Sequence, residues 1–269
     1  MKCYCFLLFT IMASLIADGQ TSLLDAQFNA TVKSVDEFMA RFNGIENKPG
    51  VVNEGESRRN SILALFDYTI ESRTSSLENF KNTLNEFVST IDERNVQLQL
   101  VDVNAWSEVE TKFVYGKKPL NITLVMHLEH INNDEKRWVI AGVRGLEQAG
   151  LYDKGLSVIS PVEHELHFMG LSDLFLQNKS LITSCRSSQR DIDELSMFLG
   201  LTMCGSLKFS EVNDVEFHFT TVPGFIFTIR EIMREGSNCG WLITDLKRAN
   251  DKEKELFINN LFGYKSTEE

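Results

Sequence analysis

Ile122-Thr-Leu-Val-Met-His-Leu-Glu-His130 is the stretch whose reading decides the fold. Ile122, Leu124, Met126 and Leu128 fall on every second position, so an extended chain puts all four on one side, with Thr123, Val125, His127 and Glu129 on the other. The same period spreads outward. Strands are predicted at about 106–115 and 119–130, Asn132-Asn-Asp134 makes a turn, and Trp138-Val-Ile-Ala-Gly-Val143 returns. Upstream, Val96-Gln-Leu-Gln-Leu-Val-Asp-Val103 alternates like a half-buried strand. Downstream, Val215–Thr221, Phe225–Arg234 and Gly240–Lys247 complete the predicted strands.

Helical spacing flanks these strands. Ser34-Val-Asp-Glu37 reads as a capping box, followed by Val35, Phe38, Met39 and Phe42 on one face and Gly44 as the stop. A second helix is predicted over 58–68, with Ile62, Leu65 and Phe66 inward. Ser75-Ser-Leu-Glu78 is a further capping box, opening a helix to about Asp92 with Leu77, Phe80, Leu84, Phe87, Val88 and Ile91 inward. Asp191–Met203 reads as a helix that aligns Leu195, Phe198, Leu199 and Thr202 and stops at Gly205. Asn250 and Glu253 cap a last helix carrying Leu256, Phe257, Leu261 and Phe262. The class is therefore α+β, with helical stripes covering the apolar faces of antiparallel sheets.

Two stretches echo each other. Val109-Glu-Thr-Lys-Phe113 leads to Pro119 and then Trp138-Val-Ile; Val215-Glu-Phe-His-Phe219 leads to Pro223 and then Trp241-Leu-Ile. One reading is two related α+β units, 20–150 and 151–269; the other is that any two antiparallel meanders share this alternation.

Residues 1–19 read as a cleavable leader: Lys2 gives the basic start, Cys5–Ala17 the short apolar run, and Ala17-Asp-Gly19 the small residues before a cut near Gln20. The run is shorter than the roughly 20 residues of a membrane span. The expected location is therefore secreted or periplasmic. The 269-residue chain is 43% hydrophobic and 24% charged, ordinary for a globular protein, and its formal net charge is −11. Such a chain is repelled by phosphate backbones, and Arg58-Arg59 and Lys117-Lys118 are too short to make a basic patch, so nucleic acid is not an expected partner.

Helices at 34–43, 58–68 and 77–92 before a curved meander ending in Lys136-Arg-Trp-Val-Ile-Ala-Gly-Val143 resemble the NTF2-like cone. Four patches are similar to uncharacterised secreted proteins of Bacteroidetes: Phe38-Met-Ala-Arg-Phe-Asn-Gly44, Arg59-Asn-Ser-Ile-Leu-Ala-Leu-Phe66, Ser160-Pro-Val-Glu-His-Glu-Leu-His-Phe-Met-Gly-Leu171 and Gly240-Trp-Leu-Ile243. The resemblance implies a fold shared by enzymes, ligand-binding proteins and interaction modules, and it brings no activity with it.

The candidate chemistry is sparse. His164-Glu-Leu-His167 misses the HExxH zinc spacing by one residue; on a helix the two rings share a face, and on a strand they point apart. His127 and Glu129 share a strand side and form an acid–base pair if that side lines a cone. Cys3 and Cys5 leave with the leader, so Cys185, Cys204 and Cys239 remain; a Cys204–Cys239 disulfide is one pairing, to be settled by mass mapping, and buried thiols are the other reading. The helix dipole is expected to raise the Cys204 thiol pKa. No nucleophile elbow, P-loop or dinucleotide pattern is present, and no cofactor is indicated. The sequence reads as an exported binding or interaction module for a small molecule or protein, with a homodimer through a sheet face as one arrangement. The alternative is an NTF2-like hydrolase or isomerase with a His and carboxylate pair in the cone.

Overall fold

A computed structural model describes residues 31–32, 34–45, 57–70, 76–99, 105–131, 135–147, 193–235 and 238–262. The strands are β1 (Thr31–Val32), β2 (Ala105–Tyr115), β3 (Lys118–His130), β4 (Lys136–Arg144), β5 (Leu207–Phe219), β6 (Phe225–Ile232) and β7 (Cys239–Arg248). The helices are α1 (Val35–Phe42), α2 (Ser57–Ala64), α3 (Leu77–Glu93), α4 (Glu194–Met203) and α5 (Asp251–Leu261). The protein is thus mixed α+β. The leader at 1–19 lies outside the described residues.

The chain forms two compact units, one of Met1–Leu100 with Phe227–Arg248, the other of Val101–Ile226 with Ala249–Glu269. The first unit's second stretch, Phe227–Arg248, comes late in the chain. The Phe227 ring stacks on Phe42 at 5.8 Å and meets Phe87 edge-on at 5.5 Å, which draws the β6–β7 hairpin to the N-terminal helices.

In the first unit, the Ser34 hydroxyl accepts the Glu37 N–H at 3.2 Å and starts α1 as its sequence predicts. Phe38, Met39 and Phe42 turn inward. The start of α3 differs by one residue. Ser76, not Ser75, accepts the Asn79 N–H, so Leu77 falls on the first helical position and is exposed. Phe80, Leu84, Phe87, Val88 and Ile91 are buried as the period requires. Phe87 also meets Phe42 and Phe66 edge-on, an aromatic knot that buries large apolar area in favourable geometry.

The predicted strand at 96–103 is not formed over its described part, 96–99. The Asn43 side chain takes both polar groups of the Leu98 backbone, accepting its N–H and donating to its carbonyl at 2.8 Å each. Those are the bonds a neighbouring strand would have supplied. Along β7, β1 pairs parallel at Cys239–Gly240 and Phe66 bridges to Ile243. Beside that bridge Asp67 pairs with Arg234 at 2.5 Å, and the buried Asn238 accepts from Tyr68 N–H and donates to the Phe66 carbonyl.

In the second unit the antiparallel order is β4-β3-β2-β5. Val109 and Val215, the leading residues of the two echoing stretches, lie directly opposite each other. β5 starts at Leu207, earlier than the predicted Val215, because its polar first half pairs with β2 as far as Tyr115. The sheet is covered on both faces. Phe113, Ile122 and Val143 pack with Phe198 of α4 on one side; Trp106 and Val125 pack with Leu261 of α5 on the other. Gly142 admits α5's successor Phe262, whose ring would sit 3.0 Å from a Cβ there. Asp193 caps α4 by accepting the Ser196 N–H, and a full Asn250–Glu253 capping box starts α5 as predicted. Leu199 and Thr202 do not align inward with Phe198; both are exposed, as is Leu256 of α5.

Candidate functional site

Among the described residues, the α5 side of the second unit's sheet carries a grouping of three metal-capable side chains, Glu108, Glu216 and His218. β2 and β5 run in register with Trp106 opposite His218, Glu108 opposite Glu216 and Glu110 opposite Asp214. Strand alternation puts these six side chains on the side that carries Trp106, and hence α5.

Glu108 sits at the centre. Its Oε2 is 3.2 Å from His218 Nε2, and its Oε1 accepts a hydrogen bond from the Arg144 guanidinium. The His218 side chain is only 5% exposed and that of Glu108 16%. Burial pushes the Glu108 carboxyl pKa up, but the His218 contact and the Arg144 charge outweigh it and hold the group below its ordinary value. Phe257 of α5 meets the His218 ring at 5.3 Å, walling that side with an apolar face. Ligand-capable atoms of Glu108, Glu216 and His218 all lie within 4.8 Å of one another.

Arg144 extends the cluster outward. It also lines an open cleft of about 430 Å³ with Glu110, Thr123, Glu147 and Asn213. A second cleft of about 640 Å³ gathers Lys117 and Lys118 of the β2–β3 turn with Lys208 and Ser206. The sequence treats Lys117-Lys118 as an isolated pair, and the start of β5 adds the third amine.

His127 and Glu129 both lie on β3. The His127 ring stacks on Trp106 at 3.9 Å and 14°, and burial lowers its pKa against the nearby Glu129 charge, which raises it. Glu129 is exposed and pairs with Arg137 at 3.7 Å. His164, His167 and Cys185 lie outside the described residues. Cys204 is an exposed thiol in the second unit and Cys239 a half-buried thiol in the first; neither is joined in a disulfide here. The Cys204 thiol pKa is lowered rather than raised, because the Ser206 hydroxyl 3.1 Å away bonds its sulfur.

Exposed apolar side chains gather elsewhere in the same unit. Met203 is 87% exposed at the end of α4 and Phe209 58% exposed on β5, with Leu199 and Val212 also open to solvent. α4 packs on β5, and Phe209 and Phe198 both lean on Phe113, at 5.5 and 5.3 Å.

Glu108, Glu216 and His218 escape a search for helix-type metal spacing. The signal for them is Asp214-x-Glu216-x-His218, a period of two, together with a partner strand that only the register identifies. Among known proteins, no family model, no curated protein and no solved structure matches this chain. Among the described residues, no helix is long and apolar enough to cross a membrane.

Proposed function

We propose that this chain is an exported binding module of NTF2-like type, whose partner surface is the apolar end of the second unit formed by α4 and the start of β5. The observation that carries the reading is the exposure of Leu199, Met203, Phe209 and Val212 on two elements that pack together. Exposed apolar side chains on adjoining elements are candidates for an interaction site. The polar cluster, by contrast, is closed against α5 by Phe257. A second copy of the chain is the first occupant to test. Sedimentation velocity of the chain from Gln20 onward is expected to show a concentration-dependent dimer, lost in the Met203→Ser, Phe209→Ser double variant with unchanged circular dichroism. A chain that is monomeric at every concentration overturns self-association through this surface. Export is tested by sequencing the N-terminus of protein from its own cells, which is expected to begin near Gln20.

The His218–Glu108 contact at 3.2 Å favours a second reading, a hydrolase or isomerase using that pair as acid and base. It requires substrate to reach a ring that is 5% exposed. Turnover of a candidate ester or ketone that His218→Gln abolishes would establish it.

A further inference from the structure

The β2–β5 register contains an arrangement that strand pairing alone disfavours. Glu108 faces Glu216, and one step along the same side Glu110 faces Asp214. Like charges directly opposite each other destabilise an antiparallel pair. The Arg144 guanidinium bonds Glu108 through a single oxygen, Oε1. The other Glu108 oxygen points to His218, and the Glu216 carboxylate completes a set of three donors within 4.8 Å.

We propose that Glu108 Oε2, His218 Nε2 and a Glu216 carboxylate oxygen form a binding site for a divalent cation of the zinc class, pinning β2 to β5. Three features fit that cation. A tetrahedral zinc with ligands at about 2.0–2.1 Å sets neighbouring donors roughly 3.3 Å apart, and His218 Nε2 and Glu108 Oε2 are 3.2 Å apart. One imidazole with two carboxylates suits zinc and its transition-metal neighbours, whereas calcium and magnesium take oxygen ligands. Arg144 holds Glu108 Oε1 and so turns Oε2 toward the site, the supporting role that hydrogen-bonded partners of metal carboxylates commonly play. Phe257 walls the His218 side, and water completes the coordination.

The site is independent of the apolar α4–β5 surface and is tested separately. The mature chain is stripped with a chelator, dialysed, and titrated with Zn²⁺ by calorimetry and with Co²⁺ by visible absorption. One equivalent is expected to bind, with the intense d–d absorption of a four-coordinate cobalt and a rise in Tm on metal addition. Glu216→Gln and His218→Gln are expected to abolish that binding, and Arg144→Ala to weaken it by about ten- to a hundredfold. Glu216 is only half-buried, so Glu216→Gln carries the test if the His218 variant fails to fold. A His164→Ala, His167→Ala variant is the control and is expected to bind as the parent does. Absence of stoichiometric binding, binding that survives Glu216→Gln, or binding lost with His164 and His167 would each overturn the proposal.

Discussion

In the first unit several polar groups meet complementary partners: Asp67 with Arg234 and Thr69, Asn238 with two backbone groups, Arg58 with the carbonyls of Phe42 and Val96. The second unit also sets carboxylates opposite carboxylates on one side of its sheet, although Arg144 and His218 contact Glu108; large apolar side chains are exposed in both units, Ile45 and Met233 in the first, Met203 and Phe209 in the second. Both units bury an apolar core, and the contrast lies elsewhere. It separates side chains arranged for folding from side chains whose arrangement the fold alone does not explain, and residues of the latter kind mark functional sites.

The comparison breaks most readily at the aromatic knot. Phe87→Ala removes a fully buried ring that contacts Phe42, Phe66 and Phe227, and urea unfolding is expected to show a loss of about 3–5 kcal/mol. Phe113→Ala in the second unit is expected to cost less, because one of its two ring neighbours, Phe209, is exposed and able to settle into the space. Equal losses would mean that the second unit's core is closed as tightly as the first.

Asn238→Ala strands the Tyr68 N–H and the Phe66 carbonyl, and it places alanine at φ 59°, where an L side chain is disfavoured. A loss of about 1–3 kcal/mol is expected from the unsatisfied groups. Asn250→Ala removes the capping box of α5 and is expected to cost about 1 kcal/mol, with hydrogen exchange quickening first in α5.

Acid unfolding separates the two polar clusters. Burial opposes ionisation of both Asp67 and Glu108, yet their hydrogen bonds and cationic partners hold both pKa values below the ordinary ones of 3.8 and 4.5. Their stabilisation is therefore complete above those unfolded-state values and is lost as pH falls through the lower folded-state values. Glu108→Gln is expected to flatten the acid slope of stability beginning near pH 4.5, and Asp67→Asn the part beginning near pH 3.8. The smallest effect on stability belongs to Met203→Ser and Phe209→Ser, within about 0.5 kcal/mol as for exposed positions generally, although both are expected to abolish association.

The sequence made the secondary structure legible wherever one face of an element was buried. Phe38, Met39 and Phe42, or Phe80 through Ile91, announce helices because burial imposes their spacing. Legibility failed where side chains replaced backbone partners, as at Leu98, whose strand-like alternation is satisfied by Asn43. Nothing local in Phe227 indicates that its ring will stack on Phe42. The polar cluster was hidden for the same reason. Glu108 and His218 are separated by 110 positions in the chain and become neighbours only through the β2–β5 register. The exposed α4–β5 end was masked by a helical period that assigned Leu199 to the core, whereas it faces solvent.

The surface proposed to meet a partner is the end formed by α4 and the start of β5. Hydrogen exchange followed by mass spectrometry at low and high protein concentration tests it most directly. Amides of residues 199–212 are expected to gain protection as concentration rises, while those of α3 and β7 do not change. Protection independent of concentration, or a gain confined to β6 and β7, would contradict it.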